Sequence, residues 1–268
     1  MTVIREPAVA GMFYPAKASE LRDTIQTFLE RVEFNSGPAP KALIAPHAGY
    51  MYSGSVAAAA YARLRPCHDR YTRVILLGPC HRVAIRKLAF SGADVFRTPL
   101  GDVPLDKEVI AALDMPGFNV LEAAHQFEHS LEVHLPFLQI VLGQFSLVPM
   151  VIGGATAEIV AEAIDLLWGG KETLIVVSSD LTHYLAYDEA RARDQLTCEA
   201  IEYLDADGVG RDDACGATPI RGLLIEAKRR AMQVTTLDLR NSGDTAGGKD
   251  HVVGYGAWMF SEETRPAF

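Results

Sequence analysis

The 268-residue sequence is short of cysteine, of positive charge and of long apolar runs, and each shortage excludes something. Its four cysteines, Cys67, Cys80, Cys198 and Cys215, form no C-x-x-C pair, so neither a disulfide framework nor a structural zinc knuckle is indicated. Residues 1–14 hold no apolar stretch of signal-peptide length, and no later stretch approaches the roughly 18 apolar residues of a membrane span. A cytoplasmic location is the expectation. The net charge is −9, from 25 basic and 34 acidic residues, and only Lys228, Arg229 and Arg230 cluster. A positive field able to hold nucleic acid or an anionic membrane is therefore missing. No G-x-G-x-x-G or Walker pattern supports nucleotide binding, and Ser178-Ser179 lacks the G-x-S-x-G elbow of a serine hydrolase.

What is present is an ordinary globular composition, 49% apolar and 22% charged. Continuous apolar runs at residues 42–45, 74–77, 147–152 and 174–177 read as strands covered on both faces. Helical spacing marks residues 19–32, with Ser19 as N-cap, and then 55–64, 130–142, 157–168 and 188–204. Residues 35–38 read as a loop, 88–105 as a small β excursion, and 234–239 and 251–260 as a two-strand tail. Strand alternating with helix predicts a single α/β domain over residues 1–268, its central sheet mostly parallel but mixed and flanked by helices.

The reactive side chains fall where such a sheet binds ligands, beyond the carboxyl ends of its strands. The first buried run leads into His47, the second into His81, and the fourth into Asp180 and His183. One loop histidine is commonly satisfied by backbone hydrogen bonds, but three at equivalent strand ends point to a shared site. Two neutral imidazoles need a third donor to hold a metal, and carboxylate or thiolate would serve. Cys215 is the best thiolate, standing just before Thr218 and Pro219, which read as the N-cap and first residue of a helix. Cys67 and Cys198 read as buried filler, and Cys80 as a pocket wall or an extra ligand. In the segment Glu128-His129-Ser130-Leu131-Glu132-Val133-His134 the histidines are five apart, not the four of a zinc-protease helix, so that reading is rejected. Glu128 and His129 are candidates to line the site, whereas Glu132 and His134 read as structural.

Taken together, the stretches 10–15, 44–50, 77–81, 128–136, 178–183 and 215–220 resemble the Memo family, the "AmmeMemoRadiSam system protein B" group, over nearly the whole chain. The resemblance implies a fold similar to the class III extradiol dioxygenases, which hold non-haem iron(II) with two histidines and a glutamate. It also implies metal ligands at His47, His81 and Cys215, a cysteine replacing the glutamate, with His183 as acid/base and Asp180 and His129 lining the pocket. Cys80 departs from the Ser or Asn often found there. Iron(II) is the implied metal, with copper or zinc also suited to thiolate. The group name implies radical-SAM and AMMECR-type protein partners.

These expectations add up to a metal-dependent redox enzyme or dioxygenase-like protein acting on a catechol-like or other small aromatic substrate. In it His183 would move protons while Asp180 orients the imidazole by a hydrogen bond. The alternative is a non-catalytic metal-binding or peptide- and protein-interaction module on the same fold.

Overall fold

A computed structural model describes residues 2–33, 37–113 and 118–262, so the predicted loop at 35–38 lies partly outside the described residues. The chain opens with a short strand, β1 (Ile4–Arg5), and the amphipathic helix α1 (Ala18–Glu30), which buries Leu21, Ile25 and Leu29. Next come β2 (Ala42–Ala45), α2 (Tyr50–Tyr61) and β3 (Arg73–Pro79). Three short strands follow, β4 (Leu88–Phe90), β5 (Val95–Thr98) and β6 (Gly101–Pro104), and then α3 (Lys107–Ala112), β7 (Phe118–Val120) and α4 (Glu122–His125). Helix α5 (Leu135–Leu142), strand β8 (Ser146–Ile152), helix α6 (Ala157–Leu166) and strand β9 (Thr173–Ser178) complete the alternating part. The last elements are β10 (His183–Leu185), α7 (Tyr187–Glu202), α8 (Ala217–Arg229), β11 (Gln233–Asn241) and β12 (Val252–Ser261).

Among the described residues the main sheet has nine strands in the order β10-β12-β2-β9-β3-β8-β4-β7, with β11 also paired to β12. Its centre, β2-β9-β3-β8, is parallel, and β12 and β4 join antiparallel on either side. Successive residues of the central strands face opposite layers, as strand geometry requires. Leu43, Leu76 and Val176 pack with α1, α2 and α5, while Ile44, Ile75 and Val177 pack with α6, α7 and α8. Fully apolar runs are thus explained by helices on both faces. Register places Ala45 opposite Ser178 and Leu77 opposite Val177, so β2, β9 and β3 end side by side and deliver their following loops to one rim.

The fold matches the predicted mixed α/β class, and differences lie in the detail. Helix α1 begins at Ala18 with Lys17 as N-cap, so Ser19 is inside the helix and caps nothing. The predicted helix at 130–142 starts only at Leu135, after a turn of 3-10 helix at Glu132–His134, because Pro136 has no N–H and is tolerated only in a first turn. Helix α8 is capped by Gly216, not Thr218, and Pro219 is its third residue. The β excursion splits: β4 joins the main sheet, while β5 and β6 form a separate three-stranded sheet with β1. The supposed tail is no tail, since β12 lies inside the main sheet against β2. No helix among the described residues is long and apolar enough to cross a membrane.

Candidate metal centre

Two of the strands that end at the rim, β2 and β3, lead into histidines whose orientation is held from behind. His47 follows β2 and is buried. Its Nδ1 lies 2.6 Å from Ser178 Oγ, and that hydroxyl donates to the Ser130 carbonyl, also at 2.6 Å. The serine proton being committed, His47 Nδ1–H must be the donor, and Nε2 is left with its lone pair toward the rim. His81 follows β3, and its Nδ1 donates to Glu128 Oε1 at 2.9 Å, which frees its Nε2 in the same way. His183, exposed in β10, donates from Nδ1 to the Leu181 carbonyl at 2.8 Å.

Glu128 serves as a buried anchor. Burial opposes its ionisation, but the His81 ring and the backbone N–H groups of His81, His129 and Ser130 overcome this and hold the carboxyl at about 2. A permanent carboxylate behind an imidazole fixes its tautomer. Burial holds His47 well below the usual imidazole range, with His81 and His129 adding to the effect, and burial also lowers His129. Both are therefore neutral bases.

His47, His81 and His129 each place a ring nitrogen within 4.8 Å of the others. The His81 and His129 rings stack at 4.8 Å between centroids, the His47 ring meets His129 edge-on at 5.5 Å, and Phe13 packs on His129 at 4.9 Å. His129 Nδ1 is buried and has no hydrogen-bond partner, being 3.4 Å from Glu128 Oε1 without bonding it. Cys215 Sγ lies 3.4 Å from His47 Nε2 and accepts the Asp180 N–H at 3.3 Å. A tetrahedral site with metal–nitrogen and metal–sulfur bonds of about 2.1 and 2.3 Å spaces such donors roughly 3.5 Å apart, so the Cys215–His47 contact suits a shared cation. Burial and then the Asp180 carboxylate push the thiol up to about 12, so it ionises only beside a compensating positive charge. An orphaned imidazole nitrogen, two back-braced imidazoles and a soft sulfur form a donor set that fits a borderline or soft divalent metal.

The profile of the family described as "Memo-like protein" matches residues 5–259. This chain belongs to the Memo family. Over 97% of its length it is 39% identical to a MEMO1 family protein of Sulfolobus acidocaldarius, all of which is covered. It is 37% identical to "MEMO1 family protein Mbar_A1422" of Methanosarcina barkeri, covering 95% of this chain and 98% of the relative. A relative from Aquifex aeolicus is 35% identical, with 96% and 99% covered. The fold alone is shared with an uncharacterized protein, JW3007, of Escherichia coli K12, at a TM-score of 0.51 and 14% identity over 80% of this chain and 98% of that one.

Within this Memo-family chain the close cluster is His47, His81 and His129, the last expected only in the pocket wall, while Cys215 stands outside it, touching His47 and lining the adjoining cleft with His81. The hydrogen bond expected from Asp180 to the His183 ring is not made. Asp180 Oδ1 instead accepts the backbone N–H groups of His47 at 2.7 Å and Ala48 at 3.3 Å, because the carboxylate turns inward to satisfy the buried β2 loop. Its role is to hold the His47 backbone. Cys80 Sγ donates to the Val83 carbonyl at 3.1 Å and is a loop brace. Cys198 is buried as expected, whereas Cys67 is only half-buried. Glu132 is structural as expected: it takes the Arg5 guanidinium, the Tyr14 hydroxyl at 2.6 Å and the N–H groups of Ala8 and Val9, so it ties down the segment that carries Phe13. His134 is likewise structural, bonded to the Tyr61 hydroxyl at 2.7 Å.

The sequence reading missed Ser178 and Ser130, the relay behind His47. A polar residue closing an otherwise apolar buried strand was the available signal for Ser178. It also missed the bulge of β10, where the register shifts between His183 and Leu185 and Tyr184 takes a left-handed φ of 61°. That bulge puts the Tyr184 ring out at the rim, 73% exposed.

Proposed function

We propose that this protein is a metal-dependent redox enzyme of the dioxygenase-like kind. Its cation, iron(II) in the first instance and copper or zinc by the same donor chemistry, is held by His47, His81 and Cys215, with His129 supplying a further nitrogen. The observation that carries the reading is the convergence of three imidazole nitrogens within 4.8 Å, two of them with their tautomers set by Ser178 and Glu128. Bound iron would supply electron exchange with oxygen and a Lewis-acidic anchor for a substrate bearing two vicinal hydroxyls.

The chain's own groups do the rest. His183, with Nδ1–H tied to Leu181, offers Nε2 to take a proton from a substrate hydroxyl and return it. Asp180 keeps the His47 loop from shifting, and Phe13 packs on the His129 ring. Catechol-like or other small aromatic compounds fit the cleft beside His81, His183 and Cys215, which measures about 510 Å³. Four unpaired cysteines suit a reducing, cytoplasmic setting. The family's group name adds radical-SAM and AMMECR-type proteins as proposed partners.

A second reading, a metal-binding interaction module, is favoured by large apolar side chains flanking the site residues in sequence, namely Met12 at 72%, Phe127 at 61% and Tyr184 at 73% exposure. One experiment separates the two: anaerobic purification with metal analysis of the wild type, His47→Ala and Cys215→Ala, followed by oxygen uptake on a panel of catechols. Iron present in the wild type, lost in the variants and accompanied by oxygen uptake supports the enzyme. Metal bound without uptake on any substrate supports the module, and folded proteins free of metal under all conditions overturn both.

A further inference from the structure

The cleft at the rim is lined by Tyr184 together with His81, His183 and Cys215. An irregular backbone holds Tyr184 there. His183 pairs with Val253 and Leu185 with Val252, so two steps along β10 match one along β12 and Tyr184 is the extra residue of a β-bulge. Its φ of 61° is a left-handed conformation that glycine adopts freely and a bulky side chain does not. His251 Nδ1 pins its carbonyl at 3.1 Å. Burial offsets little of the strain, since Tyr184 is 73% exposed and its ring meets that of the neighbouring His183. Strain kept at a residue whose ring supports no core marks function. Tyr184 also differs from the exposed Met12 and Phe127 in lining the cleft itself.

We propose that Tyr184 is a specificity-determining residue, the platform on which the planar ring of the substrate stacks while its two oxygens reach the cation. The inference deepens the function proposed above and rests on it. Offset stacking on a phenol ring contributes beyond the area it buries. The Tyr184 and His183 rings stand 5.8 Å apart at 67° to each other. A substrate ring parallel to Tyr184 keeps that steep angle to the imidazole, so the two do not stack and the ring hydroxyls stay free to reach His183 Nε2. Selection is then for a flat ring over an aliphatic chelator with the same oxygens, and it does not depend on the charge of the ligand.

The test uses acetohydroxamate and benzohydroxamate, which chelate a metal through the same two oxygens and differ in that only the second carries a ring. Each is titrated into cobalt(II)-loaded wild type, Tyr184→Ala and Tyr184→Phe, followed by visible absorption. Stacking contributes a factor of about three to ten. Tyr184→Ala should lose that much of the preference for benzohydroxamate with acetohydroxamate affinity unchanged, and Tyr184→Phe should keep it. Tyr184→Gly, which removes ring and strain together, should melt no more than about 5 °C below the wild type. An equal preference in wild type and Tyr184→Ala overturns the inference and leaves the metal reading intact, as does an equal loss of both ligands. A larger fall in the melting temperature of Tyr184→Gly also overturns it, since the ring would then be held for packing. Binding of neither hydroxamate to cobalt-loaded wild type, or no uptake of cobalt, overturns the function proposed above and the inference with it.

Discussion

Ser178→Ala tests whether the His47 tautomer is what makes the cluster a metal site. The serine side chain is buried and bridges two groups at 2.6 Å, the His47 Nδ1–H and the Ser130 carbonyl. Its removal leaves both unpaired in a dry interior, at about 1–3 kcal/mol each, or roughly 2–6 kcal/mol in all. Domain stabilities are about 5–15 kcal/mol, so the variant should fold but melt some 5–15 °C lower. His47 has one escape, to move its proton to Nε2. That relieves the orphaned donor, but it sets a hydrogen where a cation would bind. Whichever tautomer wins, affinity should fall by about 10–100-fold, the usual effect of removing a group that orients a ligand histidine.

Cobalt(II) titration followed by visible absorption reads the affinity directly. Tyr61→Phe is the control: it deletes the buried 2.7 Å bond to His134, with a similar stability loss but no contact with the cluster. Unchanged cobalt affinity in Ser178→Ala would refute the reasoning. So would an equal loss in Tyr61→Phe, since the effect would then track stability and not the tautomer.

The positions of His47, His81 and His183 were legible because each follows a buried strand, and strand ends in a parallel sheet share a rim whatever the loop details. Cys215 was legible for a different reason: among four cysteines it alone precedes a helix-start pattern, though the helix begins two residues earlier than Thr218 suggested. What could not be read was the support behind the ligands. Ser178 lies 131 residues from His47, and Ser130 lies 48 residues from Ser178, and nothing local marks either as a partner. Asp180 shows the opposite failure. Nearness in sequence suggested His183, yet the cost of leaving the β2 loop N–H groups unpaired turned the carboxylate inward. His129 was expected at the mouth of a helix over 130–142, and because that helix starts only at Leu135 the turn at 128–131 brings its ring over His81.

Two further perturbations check the scaffold. A Cβ at Gly216 would stand 2.6 Å from Ser179 Cβ and 2.7 Å from the Ser178 carbonyl, at and just past the buried end of β9. Gly216→Ala should therefore cost about 1–3 kcal/mol in urea unfolding and displace Cys215, weakening cobalt binding as well; a stable variant with native affinity would show that the close approach is not required. Lys41 gives a pH signature remote from the site. Its buried ammonium donates to the carbonyls of Trp168, Gly170 and Thr173, and burial lowers it from 10.5 to about 8. Between these two pH values the unfolded chain holds the proton that the folded chain has released. Stability relative to Lys41→Met should therefore rise with pH from about 8 toward 10.5, by up to about 3 kcal/mol. The three carbonyls and the Trp168 ring stabilise the ammonium and make the gain smaller, but they do not reverse its sign. Denaturant midpoints of both proteins at pH 7.5 and 9.5 measure the difference, and a fall with rising pH would mean that the carbonyl cage outweighs burial.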